Sequence, residues 1–420
     1  MARQHFGTDG VRGVVGVDLT GDLVERLGRA FALWSGGAAV LVGRDTRGSG
    51  PELEAALTRG LLTGGSDITL GGVLPTPAVA LLAEWNSAVV SASHNPPEYN
   101  GVKLFAPGGR KLVDAEEEAI EELFDASASD GGRFREASSL VDRYVSLVTD
   151  RFGSDLSGLR VAVDCANGAM SVPGPAAFAR LGADVVPVAD RPDGTNINVG
   201  CGATDLTLVS QVTREERCDL GVAFDGDGDR LLAVDADGNA VDGDQILAVL
   251  ALHLGVDLVA VTTMTNLGFH GLMAENGIRV LTTDVGDRYV LEALRREGGV
   301  LGGEQSGHVI YLDGHVAGDG LAAALLLCQA LEGRPLADVV AVMPRYAQAK
   351  DNVRVSRKML PASVLQEVER INEQLGDGGR VLVRLSGTEP VVRVLAEGPD
   401  LAAANELCGT IAALVRRELG

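Results

Sequence analysis

The chain predicts a run of α/β regions closed by a smaller antiparallel α+β module, and three observations carry that expectation. Apolar strand-like runs alternate with amphipathic helical runs from the amino terminus to about Met343. Glycine is abundant at 55 residues and 46% of the chain is apolar, enough for tight βα turns around well-filled cores. After Pro344 the order changes to strand, helix, two strands and helix. A length of 420 residues allows roughly two to four domains. Boundaries are expected to divide the chain into 1–154, 155–244, 245–344 and 345–420.

The first region opens with Phe6-Gly7-Thr8-Asp9-Gly10-Val11-Arg12-Gly13, whose glycines suit a tight loop bringing backbone amides and Arg12 near an anion. A helical run from Leu19 to Trp34, a strand Ala38 to Val42, a helix Pro51 to Leu62 and a strand Ile68 to Leu70 follow. Ala88-Val89-Val90 then reads as a buried strand delivering Ser91-Ala92-Ser93-His94-Asn95-Pro96-Pro97. Pro96-Pro97 forbids a helix, so this is a loop at a strand end, where α/β sheets place their chemistry. Ser93, with His94 beside it and Lys103 on the next short strand, suits a nucleophile or a phosphate carrier. An acidic helix from Asp114 to Phe124, a polar, glycine-bearing stretch from Ser127 to Ser139 and a helix through Tyr144 complete the region.

The second region restarts with the strand Leu159 to Asp164, and a later strand, Leu220 to Phe224, delivers Asp225-Gly226-Asp227-Gly228-Asp229-Arg230. Carboxylates at every second position, with glycines allowing a tight curl, can converge on one hard cation. An EF-hand fails on the residues, since its sixth position would be Arg230 and its twelfth Ala236. Three carboxylates on one divalent ion leave an excess of about one negative charge. A phosphate on Ser93 would add roughly −1.5 to −2 more. Arg230, Lys103 and His94 are the cations expected to offset it. Asp237-Gly238 between short apolar runs is a hairpin signal.

In the third region Gly302-Gly303-Glu304-Gln305-Ser306-Gly307-His308 places Glu304, Ser306 and His308 at alternate positions. If extended, they share one face, and a carboxylate accepting from two neighbouring hydroxyls suits a sugar. Asp319 is expected to cap the helix that follows. In the fourth region Arg384-Leu385-Ser386-Gly387-Thr388-Glu389-Pro390-Val391-Val392-Arg393 forms a turn between two strands. Its hydroxyls, the Gly387 amide and the flanking Arg384 and Arg393 are what a terminal phosphate requires.

Composition excludes several classes. The 36 basic and 58 acidic side chains give a net charge of −22, which argues against nucleic acid, as do aromatics at 4%. The amino terminus lacks an apolar core of signal-peptide length, and the longest apolar stretch, around Ala322 to Leu327, is too short to span a bilayer. No membrane association is expected. Cys165, Cys201, Cys218, Cys328 and Cys408 are scattered and form no CxxC pair, so reduced thiols in a cytoplasmic protein are expected.

Taken together, the Ser93 loop, the three aspartates, the Glu304 loop and the Ser386 loop resemble the α-D-phosphohexomutase family over essentially the whole chain. The resemblance implies three similar mixed-sheet α/β domains and a smaller C-terminal α+β domain around a central active-site cleft. It implies a phosphorylated Ser93 bridged to one Mg²⁺ by Asp225, Asp227 and Asp229, primed by a hexose bisphosphate or a kinase. His94 and Lys103 would assist proton movement, and Arg12 would add a cation. Arg230, Glu304, Ser306 and His308 would hold the sugar, while Arg384, Ser386, Gly387, Thr388 and Arg393 grip the idle phosphate. The implied partner is a small phosphosugar, and a homodimer is left open.

Within the family, the opening loop, Val285-Gly286-Asp287-Arg288-Tyr289-Val290 and Gly303 to His308 point to a glucosamine 6-phosphate subgroup. Relatives acting on mannose or glucose phosphates commonly carry Met where Gln305 stands, and they are the alternative. Asp284 and Gly202-Ala203-Thr204-Asp205 depart from the subgroup's usual residues, and the chain is short for it. These bear on sugar preference more than on reaction type. Reorientation of a doubly phosphorylated sugar implies motion of the last domain, with a hinge expected near Pro344-Arg345. A phosphatase would instead release phosphate without isomerising sugar.

Overall fold

The computed structural model describes residues 4–7, 9–127, 131–357, 359–386 and 390–420. Among these the chain forms successive sheets, and the expected class, mixed α/β sheets followed by an antiparallel α+β module, is found. The first sheet runs in the order Phe6–Gly7, Gly10–Val14, Tyr99–Ala106, Asn86–Val90, Val40–Arg44, Ile68–Val73, Phe134–Glu136. Val40–Arg44 is parallel to both Ile68–Val73 and Asn86–Val90, whereas Tyr99–Ala106 returns antiparallel to Asn86–Val90. Asn86–Val90 is buried throughout, as a strand covered on both faces must be.

The second sheet has the order Asp184–Val188, Arg160–Asp164, Leu220–Phe224, Leu231–Asp235, Ala240–Val241. Its first three strands are parallel, and Leu231–Asp235 returns antiparallel to Leu220–Phe224. The third repeats the device: Leu258–Thr262 and Leu301–Gly303 are parallel, then Val309–Tyr311 returns antiparallel. In each of these three sheets a candidate loop therefore lies where a parallel strand turns back into an antiparallel neighbour. The Ser93 loop, the aspartate loop and the Glu304 loop occupy equivalent places, which gives three separate sequence motifs one structural address.

Compactness divides the chain into two units, one of 1–263 with 280–341 and one of 264–279 with 342–420. In the second unit Ala347–Arg354, Val391–Gly398 and Arg380–Leu385 form an antiparallel sheet. Helices Ala362–Leu375 and Leu401–Leu419 pack on it around Val364, Val381, Val392 and Ile411. Helix Leu267–Glu275 belongs to this unit: Asn266 donates to the Tyr346 carbonyl at 2.9 Å, and Leu267 N–H donates to Glu397 at 3.3 Å.

Two local features were not specified by the sequence. The polar stretch after Ser127 contains a strand, Phe134–Glu136, that adds to the sheet edge. Every residue of it is exposed, so the sequence carries no apolar alternation to mark it. The Glu304 loop is a tight turn and not an extended run, because Glu304 N–H donates to the His308 carbonyl and Gly307 N–H to that of Glu304, both at 3.0 Å. Asp319 does cap helix Gly320–Leu331, accepting from the Leu321 and Ala322 amides. Among the described residues no helix is long and apolar enough to cross a membrane. All five cysteines are buried free thiols, and burial pushes those of Cys201 and Cys328 up to about 12.

Candidate active site

Ser93 leaves the end of Asn86–Val90 in the left-handed region, φ 51°, a conformation that costs a non-glycine residue about 1–2 kcal/mol. This backbone turn aims its buried hydroxyl at Asp225, to which Ser93 Oγ donates at 2.5 Å. His94 Nδ1 lies 3.2 Å from the same oxygen. Burial, with the Arg230 and Arg12 guanidiniums nearby, pushes the His94 imidazole down to about 3, so it is neutral at physiological pH and, contrary to expectation, is not one of the offsetting cations.

The aspartates sit in the hairpin turn between Leu220–Phe224 and Leu231–Asp235. Asp225, Asp227 and Asp229 are 0%, 0% and 3% exposed, and one oxygen from each lies within 4.8 Å of the others. Gly228, at φ 76°, makes the curl that a side chain would resist. Thr76 fastens the middle carboxylate by donating from Oγ1 to Asp227 Oδ2 at 2.5 Å and from N–H to the Asp227 carbonyl at 2.9 Å. Lys103, itself buried, places Nζ 2.8 Å from Asp227 and from Asp229 and 3.0 Å from Asp9. Those carboxylates hold its ammonium well above the usual lysine range despite burial, while burial and the like charges of Asp229 and Asp227 push the Asp225 carboxyl up.

Whether a cation fits can be judged from the donors. Asp227 Oδ1 and Asp229 Oδ1 are buried without a hydrogen-bond partner, a costly state for an ionised oxygen. Hard oxygen donors converging from three carboxylates suit Mg²⁺ or a similar divalent ion.

The remaining expected residues divide between the units. Arg12 ion-pairs with Asp9, and Arg230 is held by its backbone N–H on Asp225 Oδ1 at 3.2 Å. Glu304 is nearly buried and accepts from the Gly286 amide at 2.9 Å, and His308 Nε2 stands 3.3 Å from Asp287 and 3.7 Å from Asp229. Ser306 is exposed, its Oγ 3.4 Å from Glu304. In the second unit Arg384 and Arg393 are register partners on adjacent strands and so share a face beside buried Ser386. Gly387 and Thr388 lie outside the described residues.

Several participants escaped sequence reasoning. Asp9 and Asp287 sandwich Lys111, which ion-pairs with both, and Thr76 reaches Asp227 across 151 residues. Arg47 and Asn198 hold the Ser93 loop from segments that the sequence did not single out. A sharper reading would have paused at Asp45 and Arg47, charged groups placed immediately after a buried strand.

The two principal loops touch. A Cβ on Gly226 would come within 2.6 Å of the Ser93 carbonyl, 2.8 Å of Ile197 Cδ1 and 2.9 Å of Asn198 Nδ2. Gly226→Ala is expected to destabilise the fold by about 1–3 kcal/mol and to reduce turnover about tenfold. A thermal melt and a steady-state assay read both, and an unchanged rate would contradict the close approach.

A set of mixed α/β sheets that joins a buried serine to three buried acids is the apparatus of phosphoryl transfer. The comparisons agree along the chain. Residues 3–130, 142–238 and 242–346 match the phosphoglucomutase/phosphomannomutase alpha/beta/alpha domains I, II and III, and 351–414 matches the C-terminal domain. The chain belongs to the phosphoglucomutase/phosphomannomutase family. Its members are isomerases working by intramolecular phosphotransfer, and this chain is an enzyme of that kind.

A phosphoglucosamine mutase of Pelotomaculum thermopropionicum is 48% identical over 98% of this chain and 98% of its own. One from Desulforudis audaxviator is 46% identical over 93% of each. A solved phosphoglucomutase/phosphomannomutase family protein from Burkholderia thailandensis superposes with a TM-score of 0.84 at 26% identity, covering 98% of this chain and 96% of that one.

Proposed function

We propose that this enzyme interconverts glucosamine 6-phosphate and glucosamine 1-phosphate through a phosphorylated Ser93. The observation that carries the reading is the 2.5 Å contact of Ser93 Oγ with Asp225 in a chain 48% identical, end to end, to a phosphoglucosamine mutase. Asp225, Asp227, Asp229 and an oxygen on Ser93 would hold Mg²⁺, which when bound offsets the negative charge of the transferring group.

In the forward direction the Ser93 Oγ–P bond breaks as a bond forms from phosphorus to the C1 hydroxyl oxygen of the sugar 6-phosphate. The hydroxyl proton passes to a base. His94, whose Nδ1 lies 3.2 Å from Ser93 Oγ, can relay it to the departing serine oxygen, while the charged Lys103 steadies the anionic oxygens. The bisphosphorylated sugar then reverses, its O6–P bond breaks as phosphorus bonds to Ser93 Oγ, the serine proton passes to O6, and glucosamine 1-phosphate leaves. Glu304, Ser306, His308 and Arg230 are assigned to the sugar, with Arg12 as a further cation. Arg384, Ser386, Gly387, Thr388 and Arg393 are assigned to the phosphate not in transfer. A cytoplasmic location accords with five buried free thiols.

The test is to give the purified protein Mg²⁺, a priming hexose bisphosphate and, in parallel, glucosamine, glucose or mannose 6-phosphate, and to identify products. Preferential conversion of the amino sugar is expected. Equal use of all three would undo the sugar assignment, and phosphate release without isomerised sugar would mark a phosphatase.

A further inference from the structure

We propose that Arg47 and Asn198 form a clamp that positions the Ser93 loop for phosphoryl transfer, a role that rests on the reading of Ser93 as phosphoryl carrier. Arg47 is a fully buried cation whose guanidinium donates throughout. Nε binds Asp45 Oδ2 at 2.9 Å, Nη1 the carbonyls of Pro96 at 2.5 Å and Tyr99 at 2.9 Å, and Nη2 those of Ser93 at 2.9 Å and Asn95 at 2.8 Å. All five of its N–H groups are thereby used. Asn198 approaches the same two loop carbonyls from another sheet's connections, its Nδ2 lying 2.9 Å from Ser93 O and 3.1 Å from Asn95 O.

The amide side of Ser93 is held as well. Its N–H donates to Ser91 Oγ at 2.9 Å, and Ser91 Oγ in turn donates to Asp45 Oδ2 at 2.6 Å, the carboxylate that also accepts from Arg47. The carbonyl of Ser93 is thus tied to side chains from distant segments, and its N–H to Ser91 of its own loop, which Asp45 fixes in turn. This matters because Ser93 is at φ 51°, a strained conformation that persists only where its surroundings over-determine it. Relaxation of that one dihedral would swing Oγ away from Asp225. Neither Arg47 nor Asn198 is among the residues assigned to substrate or metal, so their influence on the reaction passes through the loop.

The experiment uses the full chain and the variants Asn198→Ala and Arg47→Lys. Asn198 is only partly buried, and its replacement removes two donors without leaving a buried charge, so it carries the test if Arg47→Lys does not fold. Three measurements are made: the rate at which a labelled hexose bisphosphate phosphorylates Ser93, the split between kcat and KM, and hydrogen exchange over residues 91–98.

A positioning role predicts kcat and the labelling rate down about tenfold or more together, KM for the sugar phosphate unchanged within about twofold, and faster exchange of the Ser93 amide. A folded Asn198→Ala protein that labels Ser93 at the parent rate, or keeps the parent's exchange protection, overturns the clamp. A parent chain that never labels overturns the phosphoserine reading instead, while exchange still reports whether the clamp holds the loop.

Discussion

Replacing Ser93 by alanine should lower turnover of the sugar phosphate by about a thousandfold or more, with little effect on stability. The side chain removed is one hydroxyl, and its hydrogen bonds go to Asp225 and His94 and to nothing that ties the core together. What disappears is the atom that forms and breaks the bond to phosphorus, together with any acid-stable label acquired from a hexose bisphosphate. Mass spectrometry of the parent and variant after exposure to the bisphosphate decides it. A Ser93→Ala protein that isomerises at an appreciable rate would move the covalent step elsewhere.

Metal removal ranks next. Three buried carboxylates share one turn, with Lys103 the nearest counter-charge, and two of their oxygens are unsatisfied. A chelator should abolish turnover and added Mg²⁺ should restore it. Because a divalent ion that binds only the folded state stabilises it, Mg²⁺ at about a hundredfold over its Kd should add about 2.7 kcal/mol to the unfolding free energy. Asp227→Ala should erase both the thermal shift and most of the rate. The same shift with parent and variant would mean that the ion binds somewhere else.

How much of this was readable from residue order depends on whether a group's neighbours in space are also its neighbours in the chain. The aspartate turn was readable because its carboxylates alternate with glycines over six consecutive residues, and the Ser93 loop because a buried run ends in Pro96-Pro97. The Glu304 loop was legible as a glycine-framed segment, but its geometry was not, since such a segment fits an extended run and a tight turn equally well. Thr76, Lys111 and Asn198 were out of reach: each acts on a partner far along the chain, as Asn198 does across 105 residues to Ser93. No local period records such a meeting. Of the fold, buried strands and amphipathic helices were legible, whereas the fully exposed edge strand Phe134–Glu136 left no pattern to read.

Helix Leu267–Glu275 has a practical consequence for anyone dissecting the enzyme. It lies well upstream, yet a methyl on Gly268 would collide with the Pro344 carbonyl, and Arg380 reaches back to the Thr265 carbonyl. A recombinant fragment starting after Pro344 would leave Glu397 and Arg380 without those partners and bare the surface that Gly268 covers. The carboxy-terminal portion is therefore sewn from two discontinuous stretches, and cloning it as a single contiguous cassette should yield an insoluble or poorly folded product.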